Sequence, residues 1–107
     1  APVTSTVTDS YTLLIDTPAV RTYTIDARAA TARTITAFYA KTETNSCTAV
    51  LRNLTQTEAV GTISVTTSGG SAPSISNAAI AENDRLGIEI TVNASATRLE
   101  MVVEYTT

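Results

Sequence analysis

Between residues 85 and 105, apolar and polar positions trade places at almost every step. Leu86, Ile88, Ile90 and Val92 alternate with Gly87, Glu89, Thr91 and Asn93. After a polar break at Ala94, Ser95, Ala96 and Thr97, Leu99, Met101, Val103 and Tyr105 alternate with Arg98, Glu100, Val102 and Glu104. Successive side chains of a strand point to opposite faces, so each run predicts a strand with one apolar face. Two such runs across a short turn predict an antiparallel hairpin. A lone hairpin is marginal in water, and the rest of the chain has to cover its apolar face.

The upstream pattern supplies the cover. Residues 11–16 predict a strand that Thr17-Pro18 ends, because proline lacks the N–H and holds its predecessor extended. Residues 20–27 predict a second. Residues 33–42 are nearly continuous in apolar content, as suits a central strand covered on both faces, with residues 47–54 as its hairpin partner. Residues 59–67 alternate again. Ser68-Gly69-Gly70-Ser71-Ala72-Pro73 predicts a loop, residues 74–80 a weak strand, and Glu82-Asn83-Asp84 a turn. No stretch keeps apolar residues at helical spacing. About eight strands at intervals of roughly ten residues predict an all-β, antiparallel, jelly-roll-like β-sandwich. The expected organisation is a single domain over residues 1–107, with residues 1–10 reading as a lead-in, an edge strand or an N-terminal arm.

Composition agrees: Thr, β-branched and suited to a pleated surface, makes up roughly a fifth of the chain, and Trp is absent. The net charge is -3, and the seven basic residues are scattered, which argues against a nucleic-acid partner. No apolar run approaches the ~20 residues of a membrane helix, so membrane insertion is not expected.

The sequence points away from catalysis. Without His the usual triads and most transition-metal sites lose a component. The ten acids are dispersed, and no acid–base constellation or cofactor signal emerges. Glu82-Asn83-Asp84 offers oxygens to Ca²⁺, but turn chemistry accounts for the same residues. Glu100 and Glu104 predict a solvated strand face, with Glu89 opposite and Arg98 as counter-charge. Cys47, the only cysteine, falls in an apolar phase and reads as a packed thiol. Asn53-Leu54-Thr55 and Asn93-Ala94-Ser95 match the glycosylation pattern by chance. The aromatic residues fall within strands, so packing is the default reading, with a sugar-binding tyrosine face as the alternative.

Some apolar residues exceed what a two-layer domain can hide. Phe38 and Tyr39 point to opposite faces, and Val50 and Val102 fall in the outward phase of strands whose inward phase is already apolar. These four predict an oligomer interface, since apolar patches on neighbouring strands mark contacts. The scarcity of Lys agrees with this.

Three segments carry a resemblance. They are Ile-Thr-Ala-Phe-Tyr-Ala-Lys-Thr at 35–42 with Asn-Ser-Cys-Thr-Ala at 45–49; Gly-Thr-Ile-Ser-Val-Thr-Thr-Ser-Gly-Gly at 61–70; and Ala-Glu-Asn-Asp-Arg-Leu at 81–86, followed by Asn-Ala-Ser-Ala-Thr-Arg-Leu at 93–99 and Val-Val-Glu-Tyr at 102–105. In this order they resemble small β-sandwich domains in structural proteins of tailed-bacteriophage virions. Glu82-Asn83 departs from the Ala-Gly or Pro-Gly expected before the Asp, while Asp84 and Leu86 keep their places. The resemblance implies a virion location as a fibre, spike, tail-tip or capsid decoration component. It also implies a homo-oligomer, a trimer by preference, contacting other virion proteins and a host-surface glycan. A carbohydrate-binding β-sandwich module is the alternative.

Overall fold

The computed structural model describes residues 8–107. Its strands are, in order, β1 (Thr8–Ile15), β2 (Thr22–Asp26), β3 (Arg33–Lys41), β4 (Thr44–Asn53), β5 (Glu58–Val65), β6 (Gly70–Ser71), β7 (Ala79–Ile80), β8 (Leu86–Thr97) and β9 (Leu99–Thr106). One sheet has the order β1-β9-β3-β6, with β7 also on β3, and the other has β2-β8-β4-β5. All pairings are antiparallel, and they nest: β4 with β5, β3 with β6 and β7, β2 with β8, β1 with β9. The chain is thus a long ribbon doubled at the β4–β5 hairpin and rolled, so that β9 also reaches β3 and β8 also reaches β4. That arrangement is a jelly roll, the expected sandwich.

Alternation places the core. Leu86, Ile88, Ile90, Leu99, Met101 and Val103 are all buried between the sheets, with Phe38, Leu51 and Val65 completing the filling. The side of the sandwich near β5 is plugged by the irregular residues 72–78. There Gly61 is closely packed, since an added Cβ would stand 3.1 Å from the Ala72 Cβ and 3.3 Å from Ile75 Cδ1 and its neighbours would have to give by a few tenths of an ångström.

Several expectations change. The two alternating runs of residues 85–105 are neighbours in sequence but lie in opposite sheets, so they are not a hairpin. The polar break is not a turn either, because β8 runs through to Thr97 and the chain crosses between sheets at Arg98, whose φ is 50°. Likewise β3 and β4 face each other across the core instead of pairing. The two crossings lie side by side: Glu43 N–H donates to Thr97 O at 3.0 Å, and the Thr42 hydroxyl donates to Asn45 O at 2.6 Å. The strand foreseen at residues 74–80 shrinks to β7, and Gly70–Ser71, assigned to the loop, pairs with β3 instead. The first strand begins at Thr8, within the expected arm, and residues 1–7 lie outside the described residues.

The Glu82-Asn83-Asp84 turn is built as its residues suggest, with Asn83 at φ 74°. The Asp84 carboxylate is taken by protein donors: Asn53 Nδ2 at 2.9 Å and Ala81 N at 3.0 Å both reach Oδ2. The Asn53 amide, followed by the Ala81 N–H, holds this carboxyl below its ordinary value of 3.8 and outweighs the opposing effect of burial. A lowered folded value means a stabilisation that is complete above about pH 4 and fades as pH falls through the folded value. Thermal melts at pH 7 and pH 3 should therefore show Asp84→Asn less stable than the parent at pH 7, with a smaller deficit at pH 3. An equal deficit at both would show that the charge is unimportant. Asn53 itself is buried, so its sequon is closed to glycosylation in the folded chain.

Candidate interaction face

The outer face of the β1-β9-β3-β6 sheet is ordered by register. Its central row runs Thr12, Val102, Tyr39, Ser71 across β1, β9, β3 and β6. One flanking row is Leu14, Glu100, Lys41, and the other is Ser10, Glu104, Ala37. A bulge between Ile35 and Ala37 lets β3 point Ile35 and Phe38 inward while Tyr39 turns out. Tyr39 is 40% exposed, Leu14 is 51% exposed, and Val102 is half-buried between them. The Tyr39 ring lies over Gly69, whose φ of 75° suits glycine and where any Cβ would run into the ring. Val102 thus forms a low ridge, with one hollow bounded by Ala37, Tyr39, Ser71 and Glu104 and another by Thr12, Leu14 and Glu100. The charges stand at the margin, where Arg98 Nε meets Glu100 Oε1 at 3.3 Å.

The four residues expected to form an interface are divided. Tyr39 and Val102 are cross-strand neighbours on this face. Phe38 is wholly inside the domain's own core and leaves the set. Val50 lies on the other sheet, between Thr62 and Glu89 in register, and is only 8% exposed. The Arg52 Nη1 to Glu89 Oε1 contact at 3.3 Å spans β4 and β8 beside it. Glu89 therefore does not oppose Glu100 and Glu104, which belong to the opposite sheet. Leu14 was missing from the set; it follows Leu13 in sequence, and only the register shows that it stands in the row beside Val102.

A second cluster was not foreseen. Arg33 is inward in phase with Ile35, and its side chain is 7% exposed. Its guanidinium stands 4.6 Å from the Tyr105 ring centroid and 5.7 Å from that of Tyr11. Arg33 Nη1 donates to the Tyr11 hydroxyl, which donates in turn to Asp26 Oδ2 at 2.5 Å. Burial, then the bond to Asp26, pushes the Tyr11 phenol above its ordinary range. A phenol held protonated and a carboxylate already occupied are not a nucleophile and a base. Since Asp26 belongs to one sheet and the other three to its neighbour, the cluster acts as a clasp between layers. Elsewhere, burial raises the Cys47 thiol, which suits packing and not reactivity. Among the described residues, no three or more His, Cys, Asp or Glu side chains form a metal-binding group. Every buried side-chain nitrogen and oxygen among them has a hydrogen-bond partner.

No family model matches the chain, and no curated protein or solved structure matches it either.

Proposed function

We propose that the chain is a non-enzymatic structural component of a bacteriophage virion, a fibre, spike, tail-tip or capsid decoration protein that works by protein–protein assembly. The observation that carries this reading is the outer face where Tyr39 and Val102 are neighbours in one row, with Leu14 in the next row beside Glu100. Single exposed apolar residues are ordinary, but neighbours in one row are the make-up of a contact. Jelly rolls serve both viral capsids and lectins, so the virion assignment rests on the three resembling segments and the assembly role on the face. The partners are other copies of the chain, as a trimer by its resemblance, and neighbouring virion proteins. A glycan-binding role is favoured by one feature, the exposed Tyr39 ring beside Ser71 and Glu104, a stacking surface next to hydrogen-bonding groups.

Val102→Lys tests the assembly role. Glu100 and Glu104 flank that position on the same strand face, so a lysine there is accommodated in the free domain while charging the contact. Sedimentation should show the parent oligomer split into smaller species with the melting temperature held. Mass spectrometry of purified particles should find the chain in them. An unchanged oligomer in Val102→Lys would refute assembly through this face, and saturable glycan binding lost in Tyr39→Ala would favour the second reading.

A further inference from the structure

The outer edges of the sheets are not equally protected. β2 is five residues long and interrupted by a bulge between Thr24 and Asp26. β5 is overlaid by the irregular segment, with Ser76 N–H donating to Val60 O at 2.8 Å and Asn77 Nδ2 to Ala59 O at 3.0 Å. β6 and β7 are two residues each. β1 differs from all of these. It runs eight residues in unbroken register with β9, contains no Pro, Lys or Arg, and has no described strand on its other side. Natural edges are usually blunted by such residues, by bulges or by covering segments.

The hydrogen-bonding phase of that edge follows from the neighbouring strands. Ile35 N–H donates to Ala78 O and Phe38 O accepts from Ala72 N–H, so both turn their backbone groups away from β9. Opposite residues of an antiparallel pair turn together, so Tyr105 and Val103 face β1 and bond Asp9 and Tyr11. Thr8, Ser10, Thr12 and Leu14 therefore carry their backbone groups to the outer edge. The Ser10 N–H there is taken by Asp9 Oδ1 at 2.8 Å. What remains is the stretch Thr12-Leu13-Leu14, where Leu14 is exposed and Leu13 and Ile15 are only half-buried.

We propose that this edge is a second docking site, beside the outer face and sharing Thr12 and Leu14 with it, and that its occupant is β1 of another copy, paired antiparallel about a two-fold axis through Leu13. In that register Thr12 and Leu14 of each copy exchange backbone hydrogen bonds, and the two Leu13 side chains meet on the inner face. The two acids nearest the pairing do not oppose each other, since Asp16 falls across from Ser10 and Asp9 across from Thr17. The Asp9–Ser10 bond stays intact, and the two-fold makes the contact self-complementary and closed. It adds strand pairing to a face that otherwise ends at Leu14.

Two variants test this. Thr12→Pro removes an N–H on the outer edge only, a position where proline is tolerated in an edge strand, so the β1–β9 ladder and the melting temperature should hold. Its self-association should weaken about tenfold or more, through the two symmetric bonds lost. Sedimentation should show a parental dimer becoming a monomer. If the face contact also forms a trimer, a parental hexamer should become a trimer, whereas Val102→Lys should turn it into a dimer; because the Thr12 side chain stands in the face's central row, Thr12→Ala, which keeps the N–H, should leave the mass unchanged, so failures of the two contacts are distinguishable. Leu13→Cys supplies the second measurement. Residues opposite in a non-hydrogen-bonded pair have Cα atoms ~4.5 Å apart, within disulfide reach. Mild oxidation should link it into dimers, with Val92→Cys, 58% exposed and on β8 of the other sheet, as the unlinked control. A mass unchanged by Thr12→Pro, no linkage above the control, or pairing that appears only after deletion of residues 1–7, which would give the edge to the chain's own N-terminus, would each overturn the proposal.

Discussion

Phe38→Ala is expected to cost ~3–5 kcal/mol, a large share of the stability of a domain this size. The side chain is 0% exposed and stands opposite Val103 in register. Its Cδ2 lies 3.6 Å from where a Cβ on Gly61 would be, so it reaches across the core to the other sheet. The walls around it are backbone-fixed strands, which cannot collapse into the space left behind. Urea unfolding should show the midpoint falling sharply with little change in slope. By contrast, Tyr39→Ala, one residue along, should shift it by under ~1 kcal/mol, because that ring covers a turn and not the core. Comparable losses at both positions would contradict the inward and outward assignments.

Asp26→Ala is expected to cost about 3 kcal/mol, because it leaves Arg33 buried without the one carboxylate paired with it among the described residues. The clasp has a specific logic. Asp26 is at the end of β2, at the edge of one sheet, and Tyr11 is on β1, at the edge of the other. Their bond and the Arg33 guanidinium against two tyrosine rings close the side of the sandwich that residues 72–78 do not reach. Removing both ionic groups, as in Asp26→Ala with Arg33→Met, should cost less than the sum of the single changes, because no stranded charge remains. Thermal melts of the four-member cycle measure this. A loss below ~0.5 kcal/mol for Asp26→Ala would mean that water already satisfies the arginine.

How far these features could be read from the residues depends on which interaction sets them. The alternation from Leu86 to Ile90 and from Leu99 to Val103 fixes strands and inward faces, and all six residues are in the core. It does not fix partners. A chain crossing from one sheet to the other keeps its apolar side toward the same core, so a crossing at Arg98 and a hairpin there leave one pattern. Val92 shows a second limit. In strict alternation it continues the inward row, but a register shift opposite Thr48 and Ala49 inserts Thr91 and turns Val92 out to 58% exposure. Such a bulge is decided by pairing partners, which local sequence does not reveal. The Arg33 clasp was hidden for the same reason, because two strand pairings bring Tyr11, Tyr105 and Arg33 together and the packing of one sheet on the other brings Asp26. For outward orientation the pattern was sufficient for Tyr39 and Val102, whose phase is local, and insufficient for Val50, which is 8% exposed and flanked by Arg52 on its own strand and Glu89 on β8.

The nested pairing has a consequence for the chain as it is made. Thr8 is paired with Thr106, and β2 must wait for β8. When the ribosome has released the first two-thirds of the chain, β4 and β5 are the principal partners able to find each other, while β1, β2 and much of β3 hold apolar faces with nothing yet to meet them. Closing such long loops is slow, and waiting strands are exposed to association in the meantime. The last eight strand residues, Leu99–Thr106, end that wait, since β9 sits between β1 and β3 and completes a sheet that no earlier portion of the chain can form. A chain stopped at Arg98 would therefore hold all strands of the β2-β8-β4-β5 sheet but leave β1 and β3 unjoined and that sheet's inner face without its cover, and the interval before β9 emerges is when a holding chaperone would matter most.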